Sequence, residues 1–524
     1  LVSLLADGRL RPQIDVEAPW TQVAEIAQQL LDRRFVGRAV LHISDSTLRG
    51  VMNTNFVKNP IYQTVILGGG FTGLFTALYL SHEHYPRSVI LIDREERFSF
   101  KPLLYEYCTS EMEIDEVWPS FSELLLDSGV IFVQDTVEAI NLPGREVKLA
   151  SGDSYNYSNL VLGLGSVTGY SGVAGAKEYA LPLRMGEDAL AIDQKLRSCL
   201  QQARETQDLE QRQKLLTVVV VGGGPSGIEI ACTLADLLPN WYEALGGNPR
   251  EIRIVLLNHG EEILKGDVNA GLRETATEAM HNRAVPVELI LGAAATAIQP
   301  GVVEYKHDGQ SITLPAATVI WTAGTATHPL IHSLPVPAEH RDKHGRLQVT
   351  PTLQLPDFPE VFAAGDCAVQ QGVSLPATAQ VAYQQAAAIA HNLKALALGR
   401  ELKPAKVNLR GTLMKLGIEN SVANIFDRLE VKGRAGHLIR QATYLEMLPN
   451  LAHDFKVTGE WLKDEIFNRY VNAEDSAIAL TRSKAPDSSK TAVRAMQLVS
   501  GAVIGVLVAQ KLLQMAEDGK NDRA

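Results

Sequence analysis

Cysteine is scarce. The 524 residues hold four, Cys108, Cys199, Cys232 and Cys367, and no two are spaced as a C-x-x-C or C-x-x-x-x-C pair. That spacing excludes the usual zinc frameworks and a local redox disulfide, and it points to a reducing, intracellular compartment. Positive charge is in deficit, with 49 Lys and Arg against 60 Asp and Glu and a net charge of −11. The chain therefore lacks the basic footprint of a general nucleic-acid binder, and no nucleic-acid partner is expected. The first residues show no basic stretch followed by an apolar run, so no secretory leader is expected in them. H-E-x-x-H is missing too. His328/His332 and His340/His344 are spaced by four, but Pro329, Pro335 and Pro337 place them in loops, so no metal site is expected. The acidic run 111–116 reads as a solvated face. Apolar residues make up 46% and charged residues 21%, which excludes disordered and collagen-like classes. The length suffices for about three to four domains.

Two segments carry most of the chemistry. The first runs from Thr64-Val65-Ile66-Leu67 into Gly68-Gly69-Gly70-Phe71-Thr72-Gly73 and then into the helical pattern 74–80. Gly68, Gly70 and Gly73 give the G-x-G-x-x-G spacing: a tight turn, a close backbone approach to a pyrophosphate, and close helix–strand packing. The helix N-terminus adds free N–H groups and the positive dipole end. The next strand pattern ends at Asp93, 23 residues beyond Gly70 and close to the spacing of the acid that binds ribose hydroxyls. The second segment repeats the plan. Thr217 to Val221 leads into Gly222-Gly223-Gly224-Pro225-Ser226-Gly227 and a helical pattern over 228–238, with Gly222, Gly224 and Gly227 as its glycines. Its acid position holds Asn258, followed by His259. A carboxylate there would favour NADH and repel the 2′-phosphate of NADPH, so its replacement leaves both NADH and NADPH open as donors. The natural assignment is FAD to the first unit and the nicotinamide dinucleotide to the second.

Further along, Val319-Ile320-Trp321-Thr322-Ala323-Gly324 is a strand with a glycine exit, and 358–366 is a strand ending in Gly365-Asp366. With these, the chain resembles two-dinucleotide-domain flavoproteins of the glutathione-reductase class. The resemblance implies an α/β fold with two Rossmann-like domains. FAD binding would fall to 62–210 and 330–400, and NAD(P)H binding to 211–329. It also implies that Asp366 holds the flavin ribityl chain. The helix opening at Ala379 would then aim its N-terminus at the flavin, and Gly324 would join the cofactor-binding set. Disulfide reductases of the class carry C-x-x-x-x-C after the first motif; this chain has none.

Four local features resemble the type II NAD(P)H:quinone oxidoreductases, over about 62–470. Residues 98–106 (FSFKPLLYE) match the loop beside the flavin, 224–229 (GPSGIE) the segment whose Glu lies near the nicotinamide–flavin contact, 320–324 (IWTAG) a strand exit, and 375–385 (LPATAQVAYQQ) the border of the quinone site. Within this family the pattern is similar to the cyanobacterial and plastid branch, which reduces demethylphylloquinone and related prenyl quinones. The implied chemistry is hydride transfer from NAD(P)H to FAD and two-electron reduction of a prenyl quinone. Glu229 would orient nicotinamide or relay a proton. Gln380, Tyr383 and Gln384 would line the quinone cleft, and Lys101 stands where the family commonly has Gln or Thr. Two alternatives remain: a reductase of a protein electron carrier, and a flavin- or nucleotide-sensing protein without turnover.

The ends read differently. Apolar spacing predicts a helix over 20–31, and 35–43 reads as a turn and a short strand. Residues 1–51 resemble the C-terminal tail of zinc-type medium-chain alcohol dehydrogenases. They hold no cofactor motif, and they are expected to be the remnant of an upstream gene, with Met52 as the ancestral start. At the other end, residues 495–510 are uncharged between Arg494 and Lys511. As a helix they would span about 24 Å, short of a hydrocarbon core of about 30 Å. The expectation is a membrane-associating helix over 490–515 in a C-terminal region 401–524. It would hold the protein peripherally on the cytoplasmic or stromal-type face of a thylakoid or plasma membrane. Gly501 and Gly505 offer a G-x-x-x-G face for pairing helices, and with it a homodimer.

Overall fold

The computed structural model describes residues 63–104, 118–265 and 270–409. It also describes most of 411–447, Tyr107, Pro449 and two short strands near the start. Those strands, β1 (Val16–Pro19) and β2 (Ala39–His42), pair in parallel and belong to a separate unit covering 1–62. β2 lies inside the strand expected near 35–43. The helix expected over 20–31, Met52, the acidic run and the 490–515 segment lie outside the described residues.

The main unit carries the two expected sheets. Its elements run β3 (Gln63–Leu67), α1 (Phe71–His82), β4 (Ser88–Asp93), β5 (Ile131–Gln134) and β6 (Asn159–Leu162). Next come β7 (Thr217–Val221), α2 (Pro225–Ala244), β8 (Arg253–Leu257), α3 (Ala270–His281), β9 (Val287–Ile290) and β10 (Thr318–Trp321). The last set is β11 (Gln354–Leu355), β12 (Phe358–Ala363), α4 (Ala379–Ala397), β13 (Gly411–Lys415), β14 (Ser421–Ile425), β15 (Leu429–Val431) and α5 (Gly433–Glu446).

The first sheet has the order β11-β12-β6-β3-β4-β5, parallel except for β11. The second has the order (Leu181–Pro182)-β10-β7-β8-β9 and is parallel throughout. In both, the strand before the glycine turn is central and wholly buried: QTVIL in β3, TVVVV in β7. β-Branched side chains suit such a strand, because helices cover both faces of a parallel sheet. The first sheet draws on two stretches of chain, within 63–162 and 354–363. Leu181–Pro182 pairs with Ile320 and Trp321, so the second sheet begins upstream of residue 211.

α4 returns after the second sheet and packs along α1. Its buried face is small, with Ala382, Ala386 and Ala390 beside Ile389 and Leu393, so the two helices can approach closely. A three-stranded antiparallel sheet, β13-β14-β15, with α5 packed on β14, follows α4. No helix among the described residues is long and apolar enough to cross a membrane.

Candidate functional site

The two glycine turns are built alike. Gly68 N–H donates to Ile92 O at 2.9 Å, and Gly222 N–H to Leu257 O at 2.8 Å. Both glycines have positive φ, +92° and +116°, where a side chain is strained. A Cβ on Gly73 would sit 1.8 Å from Gly68 O, and one on Gly227 1.8 Å from Gly222 O, so strand and helix touch through hydrogen. Gly70 and Gly224 have nothing within 4 Å of that position. Each faces open space at a helix N-terminus with no side-chain cap and no acid in its first turn. That combination leaves main-chain donors and an uncancelled dipole for a phosphate, twice in one chain. The residues fit FAD in one cradle and a nicotinamide dinucleotide in the other.

The residues closing the turns differ. Asp93 accepts from Gly69 N–H through one carboxylate oxygen and from Glu95 N–H at 2.8 Å through the other. Burial holds its carboxyl above the ordinary range, against the pull of those two bonds. Asn258 accepts from Gly223 N–H at 3.1 Å and donates to Gly260 O at 2.8 Å and Glu262 O at 2.9 Å. Its amide is saturated by the loop. His259 beside it is exposed. Thr322 Oγ1 donates to Val221 O and Gly222 O, and Gly324 O accepts from Gly169 N–H, so the 320–324 exit lies against the second turn.

The late Gly-Asp is also bound in place. Gly365 N–H donates to Gln385 Oε1 at 2.9 Å, and Ser166 Oγ donates to Asp366 Oδ2 at 2.9 Å. Arg184 Nη2 donates to both Ser166 O and Oγ. A cleft at the start of α4 is lined by Arg346, Gly365, Asp366, Ala377, Thr378 and Gln385. α4 opens at Ala379 with Thr378 as its cap. Gln385, Ser166 and Arg184 escaped the sequence reading. Gln385 stood unremarked at the end of the 375–385 motif; nothing local marked the other two.

Lys101 begins the short turn Lys101–Leu103 of the flavin loop and is exposed. Desolvation by the neighbouring protein lowers its pKa to about 8, with the Arg184 charge adding to the fall and Asp366 and Asp188 opposing it. Tyr105 and Glu106 of the same motif lie outside the described residues.

Glu229, in the second turn of α2, is buried, and its Oε1 accepts from Lys415 N–H at 3.0 Å. Lys415 is itself fully buried in β13. Asp236, two turns on along α2, accepts from Ile418 N–H and pairs with Arg283. α2 thus seats the C-terminal sheet through two carboxylates. The quinone-cleft candidates separate. Gln380 is half-buried at the start of α4. Tyr383 lies edge-on to Phe75, 4.8 Å between ring centroids, in the α1–α4 interface. Gln384 exchanges two bonds with the Asn408 main chain, donating at 3.1 Å and accepting at 2.9 Å, and so latches 401–409 to the helix. The prolines do not keep all four histidines in loops: His328 caps a one-turn α-helix, Pro329–His332, because proline suits a helix start, and His340 bonds Asp357.

The described cysteines, Cys199, Cys232 and Cys367, are buried and free. Burial pushes the thiols of Cys232 and Cys367 up to about 12, so neither offers a thiolate for redox work.

The model of the pyridine nucleotide-disulphide oxidoreductase family matches residues 62–386. The chain is 36% identical over 419 residues to the demethylphylloquinone reductase NdbB of Synechocystis, covering 76% of this chain and 97% of the relative. It is 31% identical to the alternative NAD(P)H-ubiquinone oxidoreductase C1, chloroplastic/mitochondrial, of Arabidopsis thaliana, covering 77% and 80%. NDH2 of Plasmodium falciparum, solved with NADH, shares the fold at a TM-score of 0.68 and 19% identity, over 77% of this chain and 98% of that one. With its two cradles, its late Gly-Asp and its quinone-reducing relatives, the chain belongs to the type II NAD(P)H:quinone oxidoreductases, FAD enzymes of the pyridine nucleotide-disulphide oxidoreductase family.

Proposed function

We propose that this chain reduces a prenyl naphthoquinone of the demethylphylloquinone type at a membrane surface, with NADH or NADPH as donor. The observation that carries the quinone reading is two nucleotide cradles in one unit whose described thiols are buried and unpaired. Electrons collected at the first cradle then need an acceptor other than a disulfide. The 36% identity to NdbB supports the naphthoquinone.

When bound, FAD supplies the two-electron relay between nicotinamide and quinone. The chain's own residues bind and orient. The helix ends at Gly70 and Gly224 hold the two pyrophosphates. Ser166 and Gln385 fix the Gly365-Asp366 turn for the ribityl chain. Lys101 places a cation in the cleft where negative charge develops on reduction. Glu229, held by Lys415 N–H, keeps a carboxylate at the start of the nucleotide helix, where it orients the nicotinamide or passes a proton. The saturated amide of Asn258 puts no carboxylate against a 2′-phosphate, which supports use of either donor. Gln380 borders the quinone, and Tyr383 and Gln384 shape the wall behind it. The uncharged segment 495–510 supports peripheral membrane attachment and helix pairing.

A steady-state panel tests the substrate. Naphthoquinones with and without the ring methyl, a plastoquinone analogue and a ferredoxin are compared at equal donor. Preference for the demethyl naphthoquinone supports the reading, and preference for ferredoxin overturns it. Flotation with anionic vesicles tests attachment: the full chain should float, and a chain lacking 490–524 should not.

A further inference from the structure

Among the described residues, Arg440 of α5 is the bulkiest side chain wholly withdrawn from solvent. A buried guanidinium is a costly choice where an apolar side chain of similar volume would often be more stable. Its surroundings give it a task. Nη1 donates to Pro102 O at 3.3 Å. The guanidinium stands over the Tyr444 ring, 5.1 Å from its centroid, and Tyr444 meets Phe100 edge-on at 6.0 Å and 73°. Phe100 and Pro102 are the two chain neighbours of Lys101. α5 therefore holds the flavin loop on both sides of the lysine, while Lys101 itself is exposed and within reach of the charges of Arg184, Asp366 and Asp188.

The rest of the loop is fixed from other directions. Phe98 and Phe100 pack on Phe71 of α1, with ring centroids 5.3 and 5.4 Å apart. Ser99 Oγ accepts from Gly186 N–H. Without Arg440, these contacts anchor residues 98–100, and the segment from Lys101 onward loses the bond that Pro102 O accepts from α5. Glu229 of α2 also bears on this cluster, because its charge reaches Tyr444.

We propose that Arg440, with Tyr444, is a positioning residue for the flavin loop: by holding Pro102 O and Phe100 it fixes the Lys101 ammonium where negative charge gathers in the reduced enzyme. This rests on the reading of Lys101 given above. Arg440 acts through Lys101 and touches neither cofactor nor substrate.

The test is the flavin midpoint potential of the FAD-loaded enzyme, with FAD content and the KM-against-kcat split as companions. The variants are K101M, R440M, R440K and the double variant K101M/R440M. K101M should lower the reduced-to-oxidised flavin ratio at a fixed poise by about tenfold, the effect of removing one preorganised charge. R440M should lower it by at least about threefold in the same direction. R440K, which keeps a donor for Pro102 O, should restore most of that. The double variant should match K101M alone, because coupled residues are not additive. Where R440M loses its flavin, Y444L carries the test: it should shift the ratio, and it should not shift it further in the K101M background. A ratio unchanged in R440M with full flavin content, or an equal shift in both backgrounds, overturns the proposal for Arg440. An unchanged ratio in K101M overturns the Lys101 reading first, and the positioning role falls with it.

Discussion

The two glycine turns are the same device closed by different side chains. In the first, Asp93 draws the Gly69 and Glu95 N–H groups onto a carboxylate. In the second, Asn258 takes the Gly223 N–H and gives its own hydrogens to Gly260 O and Glu262 O. Closing the turn needs an acceptor at that position and no charge. The charge is a separate variable, free to select among nucleotides. A motif that specifies an acid at the strand end merges these two jobs; this chain separates them.

The sharpest way to break the comparison is to remove the close approach that both turns share. A methyl on Gly73 or Gly227 must displace a carbonyl 1.8 Å away. Such overpacking costs about 1–3 kcal/mol. Gly73→Ala should purify largely without FAD, read from the flavin-to-protein absorbance ratio. Gly227→Ala should keep its FAD and raise the KM for donor by at least about tenfold, since 1.4 kcal/mol is one decade. Loss of FAD in Gly227→Ala would show that the two cradles are not independent.

Exchanging the closing residue sharpens it. Asn258→Asp keeps the acceptor for Gly223 and adds the missing charge. Its kcat/KM with NADPH should fall about tenfold or more while that with NADH changes by less than about threefold, a difference near 1.4 kcal/mol. Equal losses with both donors would mean that the two bonds to Gly260 O and Glu262 O matter more than the charge.

A smaller effect belongs to the flavin side alone. With its pKa lowered to about 8 from 10.5, Lys101 carries its charge below pH 8 and loses it above. Between these values the folded state binds fewer protons than the unfolded chain, so this group's contribution to stability rises with pH. Its electrostatic service to the reduced cofactor runs the opposite way. The rate of flavin reduction should fall as pH rises through about 8 in the wild type and stay flat in Lys101→Met. The same pH dependence in both would remove Lys101 from the account. The smallest effect is expected at the thiols: Cys232→Ala and Cys367→Ala should leave turnover within about twofold, since neither offers a thiolate.

Both cradles were legible in the sequence because each lies in one short stretch: a β-branched strand, three spaced glycines and a helix. The discontinuous first sheet was legible through Gly365-Asp366. Leu181–Pro182 was not, because two residues carry no periodicity and only their pairing with β10 reveals them. The contacts around Glu229 and Arg440 were hidden for a different reason. Glu229 meets Lys415 across 186 residues and Arg440 meets Pro102 across 338. A lysine in the strand 411–415 and an arginine in a helix look like solvated charges until the third dimension buries them. Gln384 is a further case: its two bonds to the Asn408 main chain, 24 residues on, leave no mark in the 375–385 motif.

The most direct measurement is an anaerobic titration of the purified protein, following the flavin absorbance with NADH, separately with NADPH, and then with a demethyl naphthoquinone. Stoichiometric bleaching by either donor and full recovery on adding the quinone are expected. Flavin that stays oxidised with both donors, or that bleaches and is not reoxidised by the quinone, would contradict the proposed function.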